Sequence, residues 1–370
     1  MKTKSSEERN NSLWSRIKNF FKKVFLNYIE MLDDGDEWDI AELPEFQSEN
    51  AHLDEYSEVL AEISNIELYE ENLRKLQSLM ISGITFETEG DIQIGDDLFA
   101  STNIGKARDN QEDAVLLIKD GKIPNFKIMV VADGMGGEHD GDVASHELVS
   151  KVKEWFEQLS DKEKAYYYTN ISDIKEKLNS VINEASIEIS EEISGRGGTT
   201  IVCAIIGKNE TLITNVGDSR AYIVRNGKLE QVSTDDANVQ ILYEEGMIPT
   251  KDAMRFHCDS NLITAAVGLG MIENIHSTII SNDDYDMILL FSDGVTDCLS
   301  EDEIAVITRY SELNKLSNEL VKRALDSHSK VPKEVANNND YYKEIQGGKD
   351  NATVAVYINS KKNDEEGRDL

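Results

Sequence analysis

The sequence predicts an α+β domain built in layers. Short β-rich runs follow one another through hairpin-sized connections, while helical stretches fall in blocks instead of alternating with every strand. Between about Asp96 and Tyr357, the runs KIMVVAD, TTIVCAII, TLITNV, RAYIVR, KLEQVS, MILLFSD and ATVAVYI have strand length and strand composition. The segment GKNE joins the second to the third, and Asn226-Gly227, a favoured two-residue turn, joins the fourth to the fifth. Consecutive hairpins pair antiparallel, which excludes a doubly wound parallel sheet. Apolar residues at helical spacing over 142–159, 171–190 and 311–327 supply the covering helices.

The chain of 370 residues is long enough for one large core or two modest ones. No run reaches the roughly 18 apolar residues that a membrane-spanning helix needs, and no cleavable leader is visible. Cys203, Cys258 and Cys298 are odd in number and far apart, without the spacing of a disulfide framework or a structural zinc site, so a reducing, cytoplasmic setting is expected. A formal net charge of −33 argues against nucleic acid, whose phosphates such a surface repels.

Before the β-rich region the pattern differs. Residues 13–32 place Leu13, Ile17, Phe20, Val24 and Tyr28 at helical spacing, with Arg16, Lys18, Lys22 and Lys23 between them. This basic amphipathic helix suits docking on the protein itself, a partner or an anionic membrane face. An acidic linker follows, and a second amphipathic helix is expected over about 55–80. The expected division is an N-terminal extension over 1–93 with a regulatory or targeting role, a catalytic domain over 94–358 and a polar tail over 359–370.

Several strands end in acid. MVVAD closes on Asp133-Gly134, LITNVG runs into Asp218, MILLFS closes on Asp293-Gly294, and Asp350 stands just before the last strand. A single Asp-Gly after a strand is ordinarily a turn. Four aspartates converging on one rim repel one another, and a divalent cation removes that repulsion. Oxygen donors without His or Cys select hard ions, Mg²⁺ or Mn²⁺. Two such ions sharing a carboxylate suit hydrolysis of a phosphate ester. The segment ARDNQEDAV adds Arg108, a charged fork for phosphate oxygens, with Glu112 and Asp113 close by.

The ordered blocks ARDNQEDAV, VVADGMGG, GGTTIVCAII, NVGDSRAYIVRNG, NLITAAVG, LLFSDGVTD and DNATVAV resemble the metal-dependent protein serine/threonine phosphatases of the type 2C class, in their bacterial form. The resemblance covers about residues 96–357. It implies a four-layer α-β-β-α sandwich of two antiparallel sheets flanked by helices. The implied reaction is hydrolysis of phosphoserine and phosphothreonine in proteins by a metal-activated water, opposing a Ser/Thr kinase. By the same resemblance, Asp133 bridges two ions, the Gly134 carbonyl holds one of them, and Asp293 and Asp350 complete the other. Asp113 acts through ordered water, Arg108 holds the phosphate, and Asp218 with Asp293 takes the third ion found in bacterial members. Residues 235–262 correspond to the family's flap.

The match has departures. Met135 stands where some members carry a His proposed to protonate the leaving alcohol, and Glu138 stands where bacterial members often have His. His139 is a nearby substitute for that proton. The flap lacks the usual Asp-His pair, and no Arg follows Thr264. Gly198, Thr199, Thr200, Thr264 and Gly268 read as packing residues, Arg220 as the partner of an acid, and Cys298 as a buried bystander. Two other readings stand beside an active general phosphatase. One is an enzyme dedicated to a single regulator, a branch that generally lacks the phosphate-binding Arg. The other is a silent sensing module, which loss of central ligands would favour; none is lost.

Overall fold

A computed structural model of the protein describes residues 84–85, 90–123, 125–136, 140–335 and 341–359. The helices expected over 13–32 and 55–80, Glu138, His139 and the tail from residue 360 lie outside the described residues.

The chain runs through β1 (Ile84–Thr85), β2 (Gly90–Ile94), β3 (Leu98–Asn103), β4 (Asp113–Lys119) and β5 (Lys127–Gly136). Helices α1 (Asp140–Gln158), α2 (Asp161–Thr169) and α3 (Ile171–Glu192) follow, then β6 (Gly197–Thr199), β7 (Ile201–Ile206), β8 (Glu210–Val216), β9 (Arg220–Arg225) and β10 (Lys228–Gln231). The flap contributes α4 (Asn238–Glu244) and α5 (Lys251–Met254). After it come β11 (His276–Ser281), β12 (Met287–Phe291), α6 (Asp293–Thr296), α7 (Glu301–Tyr310) and α8 (Leu316–Leu325), and the short pair β13 (His328–Ser329) and β14 (Ile345–Gln346) precedes β15 (Ala352–Ile358).

Two sheets result, both antiparallel. The first has the order β1-β4-β5-β7-β8-β11, with β6 also paired to β5; the second has the order β10-β9-β12-β15-β3-β2. The expected hairpins form. Ile206 faces Thr211 across the GKNE turn, closed by Gly207 N–H donating to Glu210 O at 2.9 Å. Arg225 faces Lys228 across Asn226-Gly227, where both turn residues have positive φ.

Alternation along each strand divides the core into three layers. Val115, Leu117, Met129, Val131, Val202 and Ala204 face Ile223, Ile288, Leu290 and Ala355 of the other sheet. The alternate residues Leu116, Ile118, Ile128, Val130 and Ile205 pack against Leu148 and Val152 of α1 and Ile174 and Leu178 of α3. Phe99, Tyr222, Leu289, Phe291 and Val354 pack against Ile304 of α7 and Leu316 and Leu320 of α8. Each sheet is therefore covered on both faces, which is why its strands read as nearly unbroken apolar runs. Every fully buried side chain of this size contributes about 1.5–3 kcal/mol. The α-β-β-α sandwich is the architecture that the resemblance implied.

The structure corrects some details. Strand β1 and all of β2 but Ile94 fall within the range 1–93 assigned to an extension, yet they pair into the two sheets. Helices α2 and α7 were not anticipated; each opens with a capping box, Ser160 with Glu163 and Ser300 with Glu303. Among the described residues no helix is long and apolar enough to cross a membrane.

Candidate active site

Pairing of β4 with β5 sets Asp113 directly opposite Asp133. Asp133 was expected at a strand end, but β5 continues to Gly136 by changing partners: it pairs with β7 through Val131 and with β6 from Gly134. The backbone at this changeover is clamped. Thr200 N–H and Thr199 Oγ1 donate to Asp133 O at 2.8 and 3.0 Å, and Asp133 N–H donates to Thr200 Oγ1 at 3.0 Å. Thr199 and Thr200 thus serve as packing and support. A Cβ on Gly134 would lie 2.2 Å from Gly141 O, so only glycine lets the start of α1 approach the strand this closely.

The second sheet supplies the opposite side. Strand β12 runs through Ser292 into Asp293, whose N–H points at Asp133 Oδ2 from 3.4 Å. A Cβ on Gly294 would stand 1.8 Å from Asn351 O, so the turn after β12 presses against the segment entering β15 and brings Asp350 alongside. Asp113 joins the two sheets: its Oδ2 accepts from Ser292 Oγ at 2.8 Å and Thr353 Oγ1 at 2.7 Å. Its Oδ1 is buried and has no hydrogen-bond partner among the described residues.

Arg108 closes the rim. Its Nη2 donates to Asp350 Oδ2 at 2.7 Å and its Nη1 to Glu112 Oε2 at 3.1 Å. The loop that carries it is held by Asn351, which accepts from Glu112 N–H and donates to the carbonyls of Ile104 and Asn110. Asp218 lies buried in the turn between β8 and β9. Arg220 pairs with Asp235 at 2.7 Å, as expected for a cation beside an acid.

Burial followed by mutual repulsion raises the carboxyl pKa values. Burial and then Asp293 hold Asp133 well above the ordinary range. Asp113 is pushed up to about 7 by burial and its neighbours Asp350 and Asp293, against the opposing hydroxyl bonds from Thr353 and Ser292. Asp293 is pushed up to about 6 by burial and Asp350. Asp218 is also raised, by burial and then Asp293 and Asp297. Charged carboxylates at these positions need a counter-charge, and Arg108 with Arg220 supplies only part of it.

The donor set fits hard divalent cations, with oxygen atoms only and one buried acceptor left bare. Among the described residues no three of these carboxylates bring oxygens within 4.8 Å of one another. The oxygens of Asp133, Asp293 and Asp350 therefore lie further apart here than a single ion would hold them, and side-chain rotations would have to gather them.

Sequence reasoning missed Asp297. It follows Asp293 by four residues, one turn along the same helical face, and is pushed up to about 8 by burial and Asp293. With Asp218, Asp235, Asp293, Arg220 and Arg255 it lines a small cleft between the rim and the flap.

Residues 106–328 match the family model of protein phosphatase 2C. The chain belongs to the protein phosphatase 2C family. Its enzyme class is therefore that of a protein serine/threonine phosphatase. The phosphatase is 31% identical over 262 residues to the serine/threonine phosphatase stp of Listeria monocytogenes, an alignment that spans 69% of this chain and 92% of that one. Among solved structures, the Staphylococcus aureus serine/threonine phosphatase Stp1 is 28% identical, with a TM-score of 0.55 over 74% of this phosphatase and 98% of Stp1. The catalytic domain of PstP in complex with two manganese ions shares the fold at 24% identity and a TM-score of 0.54, over 70% of this chain and 96% of that one.

Proposed function

We propose that the domain hydrolyses phosphoserine and phosphothreonine in proteins with the help of Mn²⁺ or Mg²⁺ held at the aspartate rim. One observation carries this reading: buried carboxylates from both sheets share a rim with the Arg108 guanidinium, and Asp113 keeps one buried oxygen bare. Asp133 would be shared by two ions, with the Gly134 carbonyl on one and Asp293 and Asp350 on the other. Asp218 with Asp293 would take a third.

When bound, such ions lower the pKa of water and neutralise charge on phosphate oxygens. The chain's own groups do the rest. Arg108 exchanges its contacts with Asp350 and Glu112 for a forked contact to the phosphate, which fixes the phosphorus on the rim. Asp113, fixed through Ser292 and Thr353, orients what sits between the two sheets. Met135 has no proton to give to the leaving alcohol.

The substrates are the products of protein serine/threonine kinases, and the residues upstream of β1 have a regulatory or targeting role. The test is hydrolysis of p-nitrophenyl phosphate and a phosphothreonine peptide, with turnover that requires added Mn²⁺ or Mg²⁺. Absence of turnover with Mn²⁺, or undiminished turnover in Asp293→Asn, rejects the reading.

A further inference from the structure

The flap carries a second donor cluster of different chemistry. His257, Cys258 and Asp259 follow α5, and in an extended chain three consecutive side chains would point to alternating sides. Here a tight turn gathers them. His257 N–H donates to Met254 O, Ser260 N–H to His257 O and Leu262 N–H to Asp259 O. The turn is fastened from outside by Cys258 N–H donating to Tyr341 O at 2.7 Å and by Lys343 N–H donating to Phe256 O at 2.9 Å. His257 is buried, stacked on the ring of Tyr341 and edge-on to that of Tyr342.

We infer that His257 Nδ1, Cys258 Sγ and the Asp259 carboxylate form a binding site for a borderline-soft divalent cation of the Zn²⁺ type, separate from the aspartate rim. The donor separations suit it. Sγ lies 4.0 Å from Nδ1 and 3.5 Å from Asp259 Oδ1, and Nδ1 lies 4.0 Å from Asp259 Oδ2. Zn–S near 2.3 Å with Zn–N and Zn–O near 2.0–2.2 Å gives tetrahedral edges of about 3.3–3.6 Å, so small side-chain rotations close the set.

Asp259 N–H donates to Nδ1 at 3.2 Å, and an ion that takes this lone pair displaces that contact. The thiol is exposed, so an ion can reach it and the fourth position stays open to solvent. On binding, the S–H bond breaks, its proton passes to the buffer, and the thiolate forms the metal–sulfur bond. Nitrogen and sulfur donors separate this site from the oxygen-only rim, which selects Mg²⁺ or Mn²⁺. Asp259 also accepts from Asn238 Nδ2 of α4 at 3.3 Å, and Arg255 and Ser260 on either side of the turn line the cleft. An ion here would therefore fix the flap wall that faces the rim.

Co²⁺ is the probe, added to the full chain. A thiolate on Co²⁺ gives an intense near-ultraviolet charge-transfer band, and the carboxylates of the rim give none. The expected result is a band that saturates, disappears on addition of Zn²⁺, persists in Cys298→Ser and is lost in Cys258→Ser. Asp259→Asn is expected to raise the Co²⁺ concentration needed for half-saturation. Cys258 is at the surface, so its replacement leaves the fold intact. Absence of the band, its survival in Cys258→Ser, its resistance to Zn²⁺, or an unchanged titration in Asp259→Asn overturns the proposal.

Discussion

Arg108 and Asp350 form an ion pair at 2.7 Å across the rim of the sandwich, joining the loop before β4 to the loop before β15. The phosphate contact proposed for Arg108 would take over a guanidinium that Asp350 and Glu112 already hold in place, so the fork is oriented before substrate arrives. Arg108→Ala is expected to lower kcat/KM for a phosphothreonine peptide by about ten- to a hundredfold, the value of one charge-assisted contact, mostly through KM. Arg108→Lys should recover little, because a point charge does not replace the fork. Steady-state kinetics decide it, and an unchanged KM in Arg108→Ala removes the phosphate contact.

Asp113→Asn keeps the shape of the side chain and its link to Ser292 and Thr353 but removes a charge from between the sheets. The expected effect is about ten- to a hundredfold weaker Mn²⁺ affinity, as for loss of an outer-sphere partner. Calorimetric titration with Mn²⁺ measures this directly; equal affinity would show that Asp113 has no part in holding the ions.

The raised carboxyl pKa values set a pH dependence. Asp113 at about 7 and Asp293 at about 6 keep their protons in the fold well above the ordinary value of 3.8. Below that ordinary value their contribution to stability is fully present, and it is lost as pH rises through about 6 to 7. In chelator the thermal midpoint should therefore fall between about pH 5 and pH 8, and Mn²⁺ should raise it more at pH 8 than at pH 5. Thermal melts at both pH values test this, and an equal Mn²⁺ effect at the two would contradict it.

Gly294 touches the backbone of Asn351 so closely that any side chain must force the two loops apart. Gly294→Ala is expected to destabilise the domain by at least about 1–3 kcal/mol, the usual range for overpacking. Chemical denaturation gives the number, and a wild-type midpoint would show that the contact yields freely.

Much of this arrangement was readable in local signals. Strands covered on both faces are apolar along their length, so β5, β7, β12 and β15 stood out, and Asp-Gly pairs marked two of the site-bearing ends. Strand β11 escaped because it is an edge strand paired only with β8, and its Thr278 and Ile279 are exposed. Helix α2 escaped because it buries only Tyr167, although Ser160 and Glu163 give the capping signature. At the site, the aspartates were visible one at a time. Which oxygen of Asp113 is bare, and that Asn351 fastens the Arg108 loop from 241 to 247 residues away, depend on long-range pairing that no window of sequence contains. Asp297 was within reach, since the one-turn spacing after Asp293 is a local pattern.

The grip of Ser292 and Thr353 on Asp113 makes the chemistry a gauge of how the sandwich is assembled. A slip of one sheet against the other by a fraction of a residue would pull this buckle open while leaving every helix and ladder intact. Heating or mild denaturant should then silence the enzyme before spectroscopy registers any loss of secondary structure.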